Sequence, residues 1–146
     1  MPRSVGEAAA PERPDLLAGG TRARLFAFLT SPALVRHDGA VTSWAGADAF
    51  PYPEVAGIWL AWSAWRAERQ EPTPSPEMIA AVARRLAADL RAGPGVGKAG
   101  RRYLFDTALA LAGWTRAAHV GLTAGPDAAD HEIACRTLDA FAASPL

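Results

Sequence analysis

The stretch Tyr52–Trp65, YPEVAGIWLAWSAW, decides how the rest of the chain is read. It holds three of the five tryptophans, and from Val55 to Trp65 it carries no charge. Pro53 suits the first helical position, where a missing N–H leaves nothing unpaired. Glu54 falls in the first turn, where a carboxylate complements the helix dipole. Val55, Ile58, Trp59, Trp62 and Arg66 form one helical stripe. Ala56, Leu60, Ser63 and Ala67 form a second that is also nearly apolar. The spacing predicts a helix over 53–70 buried on most sides, with water reaching only Arg66, Glu68 and Arg69.

Downstream, Glu71–Pro76 (EPTPSP) is a stiff turn, and Ser75 is placed to cap a third helix over 76–92. Ile79, Val82, Ala83, Leu86 and Leu90 share one face of it, with Arg84, Arg85, Asp89 and Arg91 turned away. Gly93–Arg102 is a glycine-rich loop. A fourth helix is expected over 103–119, and between Asp106 and Arg116 it again has no charge (TALALAGWT). Gly125-Pro126 marks the next turn, and an amphipathic fifth helix follows over 128–143. Upstream, a helix is expected over 15–30, weakened by Gly19-Gly20 so that its ordered part begins near Thr21. Residues 1–14, with Pro2, Pro11 and Pro14, read as a disordered lead-in, leaving 15–146 as a single helical domain. The connection from 33 to 53 is long. Asp38-Gly39 sits between short β-prone runs, so a short hairpin is expected near 34–43, followed by an irregular segment.

The helices alternate between amphipathic and charge-free. Each charge-free helix begins with an acid, Glu54 or Asp106, and the segments EVAGIWLAW and DTALALAGW share small residues and a tryptophan. This is a weak internal repeat of roughly 50 residues, one αα-hairpin per repeat. One antiparallel helix separates the two charge-free helices, so they are expected to run parallel. Their N-termini and the loops 33–53 and 93–102 then fall on one face. The fold class is all-α, with about five helices.

Inner helices alternating with outer ones, with long loops at one end, resemble the (α/α) toroids of glycoside hydrolases, polysaccharide lyases and glucuronyl epimerases. Tyr52-Pro53-Glu54 with Gly57 resembles the Y-P-E-x-x-G segment at an inner-helix start in epimerase-like and hydrolase-like members. Tyr103-Leu104-Phe105-Asp106-Thr107, following Arg102, resembles the Y-x-F-D-T segment opening a later inner helix. The similarity spans about residues 30 to 120. It implies αα-hairpins arranged as a partial toroid. A closed six-hairpin ring needs more than twice this length, so the flanks of the inner helices are expected to be uncovered and to associate, with a second copy or with a separately encoded helical partner.

Composition narrows the function classes. The 146 residues suit one domain with a core of its own. Fifteen Lys plus Arg balance 15 Asp plus Glu, which gives no electrostatic case for nucleic acid or an anionic membrane. No apolar run reaches the ~18 residues of a membrane span, and the N-terminus has no signal-peptide pattern. Cys135 stands alone, without a disulfide framework or a CxxC pair, which suits the reducing cytoplasm. Gly93–Lys98 fails as a phosphate loop, because Ala92 stands where its first glycine belongs and Ala99 follows the lysine. His131 and Cys135 are one helical turn apart and make a two-point site at most, so neither metal nor cofactor is expected.

The candidate functional residues gather at the expected loop face. Glu54 and Asp106 are the acid/base candidates for sugar chemistry; the competing reading gives them only dipole and capping roles. His37 beside Asp38 is a candidate general base if the chain is an enzyme, and otherwise a solvated turn histidine. Trp44, Tyr52 and Tyr103 are candidates to stack on or orient a ligand, against wedging loops onto the core. Arg101 and Arg102 are candidate contacts for a carboxylate-bearing ligand, or an ion-pair partner for Asp106. Two functions are compatible with this set. One is a binding or accessory protein holding a small polar, sugar-like or peptide ligand, or completing a partner. The other is a carbohydrate-active epimerase, lyase or hydrolase.

Overall fold

The computed structural model describes residues 19–93, 96–98 and 101–143. Among these the chain forms helices α1 Gly19–Leu29, α2 Pro53–Glu68, α3 Pro76–Arg91, α4 Leu104–His119 and α5 Ala128–Ala142. The class is all-α. The lead-in expected over 1–14 and the first residues of the helix expected from 15 lie outside the described residues. Residue 19 is already helical, so the glycine pair does not delay α1 to Thr21.

The local starts and stops follow from the sequence. Pro53 and Pro76 occupy the first turns of α2 and α3. Ser75 Oγ accepts the Met78 N–H at 3.2 Å and caps α3. Helix α2 ends at Glu68, two residues short of the expected end, because Gln70 turns left-handed with φ of 56°. The amide of Glu71 then reaches back to the Arg66 carbonyl at 3.0 Å and satisfies an orphan acceptor of the last turn.

Helices α2 and α4 run parallel in direct backbone contact. At one end the Tyr52 hydroxyl meets Asp106. In the middle Gly57 lies against the backbone of Ala110, and Gly113 lies against that of Gly57. At the other end Arg116 pairs with Glu68 at 2.7 Å. A methyl group on either glycine would overlap main-chain atoms of the facing helix. The glycines are therefore what lets two charge-free helices approach this closely.

Amphipathic α3 and the 33–52 loop cover one side of this pair. Ile79, Val82, Leu86 and Leu90 of α3 meet Trp59 and Leu60 of α2 and Ala110 and Trp114 of α4, with Leu34, Val35 and Val41 closing the core from the loop. Each large side chain buried this way contributes about 1.5–3 kcal/mol relative to exposure. The tryptophan N–H groups are not wasted: Trp59 donates to the Leu29 carbonyl at 2.8 Å, and Trp114 to that of Ala124 at 2.7 Å.

The expected hairpin near 34–43 is reduced to single bridges, Val35 with Val41 and Thr42 with Pro51. Its Asp38-Gly39 turn does form, with Gly39 at φ of 83° and pressed against the Ala81 carbonyl of α3. That contact leaves no room for a side chain at this position. Conversely, the glycine-rich loop contains a short antiparallel ladder, β1 Gly97–Lys98 with β2 Arg101–Arg102. Val96 anchors it, fully buried, and accepts the Tyr103 N–H at 3.0 Å. A single apolar residue among glycines has no period by which to announce a strand.

Burial on most sides, expected for both charge-free helices, is corrected. Ile58 and Trp65 on α2 are 49% and 40% exposed, and Phe105 on α4 is 66% exposed. Ile58 and Trp65 are one heptad apart, as are Phe105 and Ala112, so each pair marks one stripe along its helix. Ile58 and Phe105 thus lie outside the core that α3 and the 33–52 loop close, and Trp65 borders α1.

Helix α5 is held to the body through its first turn. Asp127 Oδ1 accepts the N–H groups of Ala129 and Asp130, and Asp130 Oδ2 accepts that of Asp127, a reciprocal capping box. Arg91, in the last turn of α3, bonds both carboxylates at 2.8–3.0 Å.

Candidate functional site

The parallel packing brings the N-terminal ends of α2 and α4 together with the loops that precede them. Tyr52 is the N-cap of α2, in extended conformation, and its amide donates to Val41 at 2.9 Å. That bond fixes the ring over the start of α4, where its hydroxyl donates to Asp106 Oδ2 at 2.8 Å. Asp106 is 5% exposed. Glu54, half-buried two residues on, is a second acid neighbouring the same phenol. Burial, the bond to Asp106 and the neighbouring Glu54 push the Tyr52 hydroxyl well above its ordinary range, because each disfavours the phenolate.

Thr107 completes the clamp. The residue is 2% exposed, and its hydroxyl accepts the Val96 N–H at 3.0 Å and donates to the Tyr103 carbonyl at 2.9 Å. Adjacent residues of one motif thus grip opposite neighbours: Asp106 holds α2, and Thr107 holds the glycine-rich loop. On the outer side an aromatic ladder leads away from Tyr52. Phe50 packs against it at 5.7 Å, and Trp44 meets Phe50 edge-on at 5.1 Å. Trp44 is 43% exposed and donates to Asp48 at 3.0 Å. Thr42 is buried beneath the loop, its hydroxyl bonded among the Ala33, Leu34 and Trp44 carbonyls. Ser43 Oγ is buried with no partner among the described residues.

The sequence-derived candidates divide accordingly. Glu54, Tyr52, Asp106 and Trp44 fall in one constellation. Tyr103 caps α4 with its backbone, and its side chain is 40% exposed, without joining the Tyr52–Asp106 bond. His37 lies apart, exposed on the turn that packs against α3, where Asp38 pairs with Arg85 at 2.7 Å. The structure does not bring it to either carboxylate. Arg101 is exposed on β2, and the side chain of Arg102 lies outside the described residues. Among the described residues no ion pair reaches Asp106; its polar partner across the helix pair is Tyr52. Among the described residues, no group of His, Cys, Asp and Glu is arranged to hold a metal ion, and no helix is long and apolar enough to cross a membrane.

Phe50 carries no signal in the sequence, and Thr107 stands there only as the last residue of the Y-x-F-D-T segment, without a role. Phe50 precedes Pro51 in an irregular loop with no period to read. Thr107 begins the charge-free run of α4, and its hydroxyl finds its partner only once the glycine-rich loop folds back onto the helix start. No family model matches the chain, and no curated protein or solved structure matches it significantly.

Proposed function

We propose that this chain is a non-catalytic helical binding or accessory protein, a reduced set of toroid-like αα-hairpins. Its loop end holds a small polar, sugar- or peptide-like ligand, and the bare face of α2 and α4 meets a second copy or a separate helical partner. The observation that carries the reading is Asp106. Its carboxylate is withdrawn from solvent and engaged by Tyr52, so it braces two helices rather than waiting for a substrate proton. The exposed Trp44 supplies an aromatic face for a ligand at this end. Ile58 and Phe105 supply an apolar surface for association. A cytoplasmic setting suits the free, exposed Cys135.

A second reading, a carbohydrate-active enzyme, is favoured by one feature: two carboxylates, Glu54 and Asp106, flank a phenol whose proton is held tightly. Substituting Glu54→Gln and Asp106→Asn separates the two. In a binding protein Asp106→Asn lowers the melting temperature, and neither change affects turnover of any saccharide, because there is none. In an enzyme both abolish turnover with the melting temperature nearly unchanged, and that result sinks the binding reading.

A further inference from the structure

A second concave site lies at the far end of α2. Between α1 and the C-terminal half of α2 is a cavity of about 340 Å³, within the size range of small-ligand sites. Its walls are Phe26, Trp62 and Trp65, with Leu25 at the mouth. Three guanidinium groups and one carboxylate line it. Arg66 is committed: it bonds Glu71 at 3.1 Å, and its Cζ lies 4.7 Å from the Phe26 ring centre and 5.5 Å from that of Trp62. This neutralises the carboxylate and locks the floor. Arg69 rests on the Trp65 ring at 4.4 Å, and Arg22 projects from α1; neither has an acidic partner among the described residues. The cavity therefore has an apolar aromatic wall and two uncommitted positive charges.

From this arrangement we infer that the cavity binds a small organic anion, a carboxylate on an apolar body, with Arg22 and Arg69 holding the charge and Trp62, Trp65 and Phe26 packing the body. Guanidinium groups bond carboxylates in a planar fork, and stacking on Trp65 pre-orders Arg69 for it. The apolar body is needed as well, because exposed arginines alone bind anions weakly in salt water.

Isothermal titration calorimetry on the full chain tests this with three probes: 4-phenylbutyrate, its neutral amide 4-phenylbutanamide, and acetate. The expected result is saturable one-site binding of 4-phenylbutyrate tighter than about 1 mM, with the amide and acetate each at least about tenfold weaker. Arg22→Gln and Arg69→Gln should each weaken 4-phenylbutyrate about tenfold; both side chains are exposed, so helix content by circular dichroism stays unchanged. Trp65→Phe provides a third variant that keeps the charges and trims the wall. Absence of saturable binding overturns the inference. So does equal binding of amide and carboxylate, or wild-type affinity in the Arg22→Gln/Arg69→Gln double variant. The site is separate from the loop end of α2 and from Ile58 and Phe105, so its failure leaves the proposed binding function standing, and the reverse also holds.

Discussion

The Tyr52 hydroxyl donates to Asp106 Oδ2 at 2.8 Å, joining the N-cap of α2 to the first turn of α4 across 54 positions of sequence. The bond is long-range in the chain and short in space because the two helices run parallel. It converts an acid that could complement a helix dipole anywhere into a link between two particular helices.

Removing the donor tests that link. Tyr52→Phe keeps the ring against Phe50 and leaves a buried carboxylate short of one hydrogen bond. The expected loss is about 1–3 kcal/mol of unfolding free energy, read as a lower urea midpoint with an unchanged slope. Asp106→Asn should cost less, since its amide oxygen still accepts from the phenol.

The same bond predicts an alkaline signature. An unperturbed tyrosine ionises near pH ~10, and the Tyr52 value is raised in the folded state. A raised folded-state value means the stabilisation is fully present below the unfolded value and is lost as pH rises through the folded one. Wild-type stability should therefore begin to fall above about pH 10, with that portion of the fall missing in Tyr52→Phe. Absorbance titration near the phenolate band should show one of the two tyrosines ionising late, and that step should vanish in the variant.

The glycine contact between α2 and α4 is the least forgiving point of the core. Gly57→Ala and Gly113→Ala each place a methyl into the facing backbone, with an expected cost of about 3 kcal/mol or more. Gly121 is the control. Its φ is 77° but a methyl there meets open space, so Gly121→Ala should cost only about 1–2 kcal/mol of backbone strain. Thermal unfolding of the three variants would rank them; equal losses would mean the helices can move apart.

Docking of α5 depends on acid groups at its N-terminus. Backbone N–H groups of the capping box, chiefly that of Asp130, hold the Asp127 carboxyl below its usual value, and Arg91 adds to this. A lowered folded-state value gives stabilisation present above the unfolded value, about 4, and lost as pH falls through the folded one. Amide exchange in α5 should accelerate below about pH 4 before exchange in α3 does. Arg91→Ala should produce the same local loosening at neutral pH.

Association through the bare helix face has a direct readout. Ile58→Glu or Phe105→Glu places a charge on an exposed apolar stripe, which costs the monomer little. Each should shift the chain to a smaller species in light scattering, with helix content unchanged. If the wild-type chain is already monomeric at high concentration and gains no mass from a candidate partner, the face has no such role.

The sequence alone determined the helices and their class. Charge-free windows, prolines at first turns and the three-and-four spacing of Ile79, Val82, Ala83, Leu86 and Leu90 are local signals, and local signals fix helix positions to within a residue or two. They also placed Glu54 and Asp106 at helix starts, and the hairpin connectivity led to the parallel pairing of those helices. Exposure was another matter. A helix without charges reads as buried, yet which side is covered depends on where α3 and the 33–52 loop pack, so Ile58 and Phe105 face outward against expectation. The choice of Tyr52 as the partner of Asp106, the clamp of Thr107 on Val96, the separation of His37 from the carboxylates and the bridging of two aspartates by Arg91 were likewise decided in three dimensions. Each depends on distances between groups far apart in the chain; for Tyr52 and Asp106 that distance follows from the glycine contact that holds α2 and α4 together.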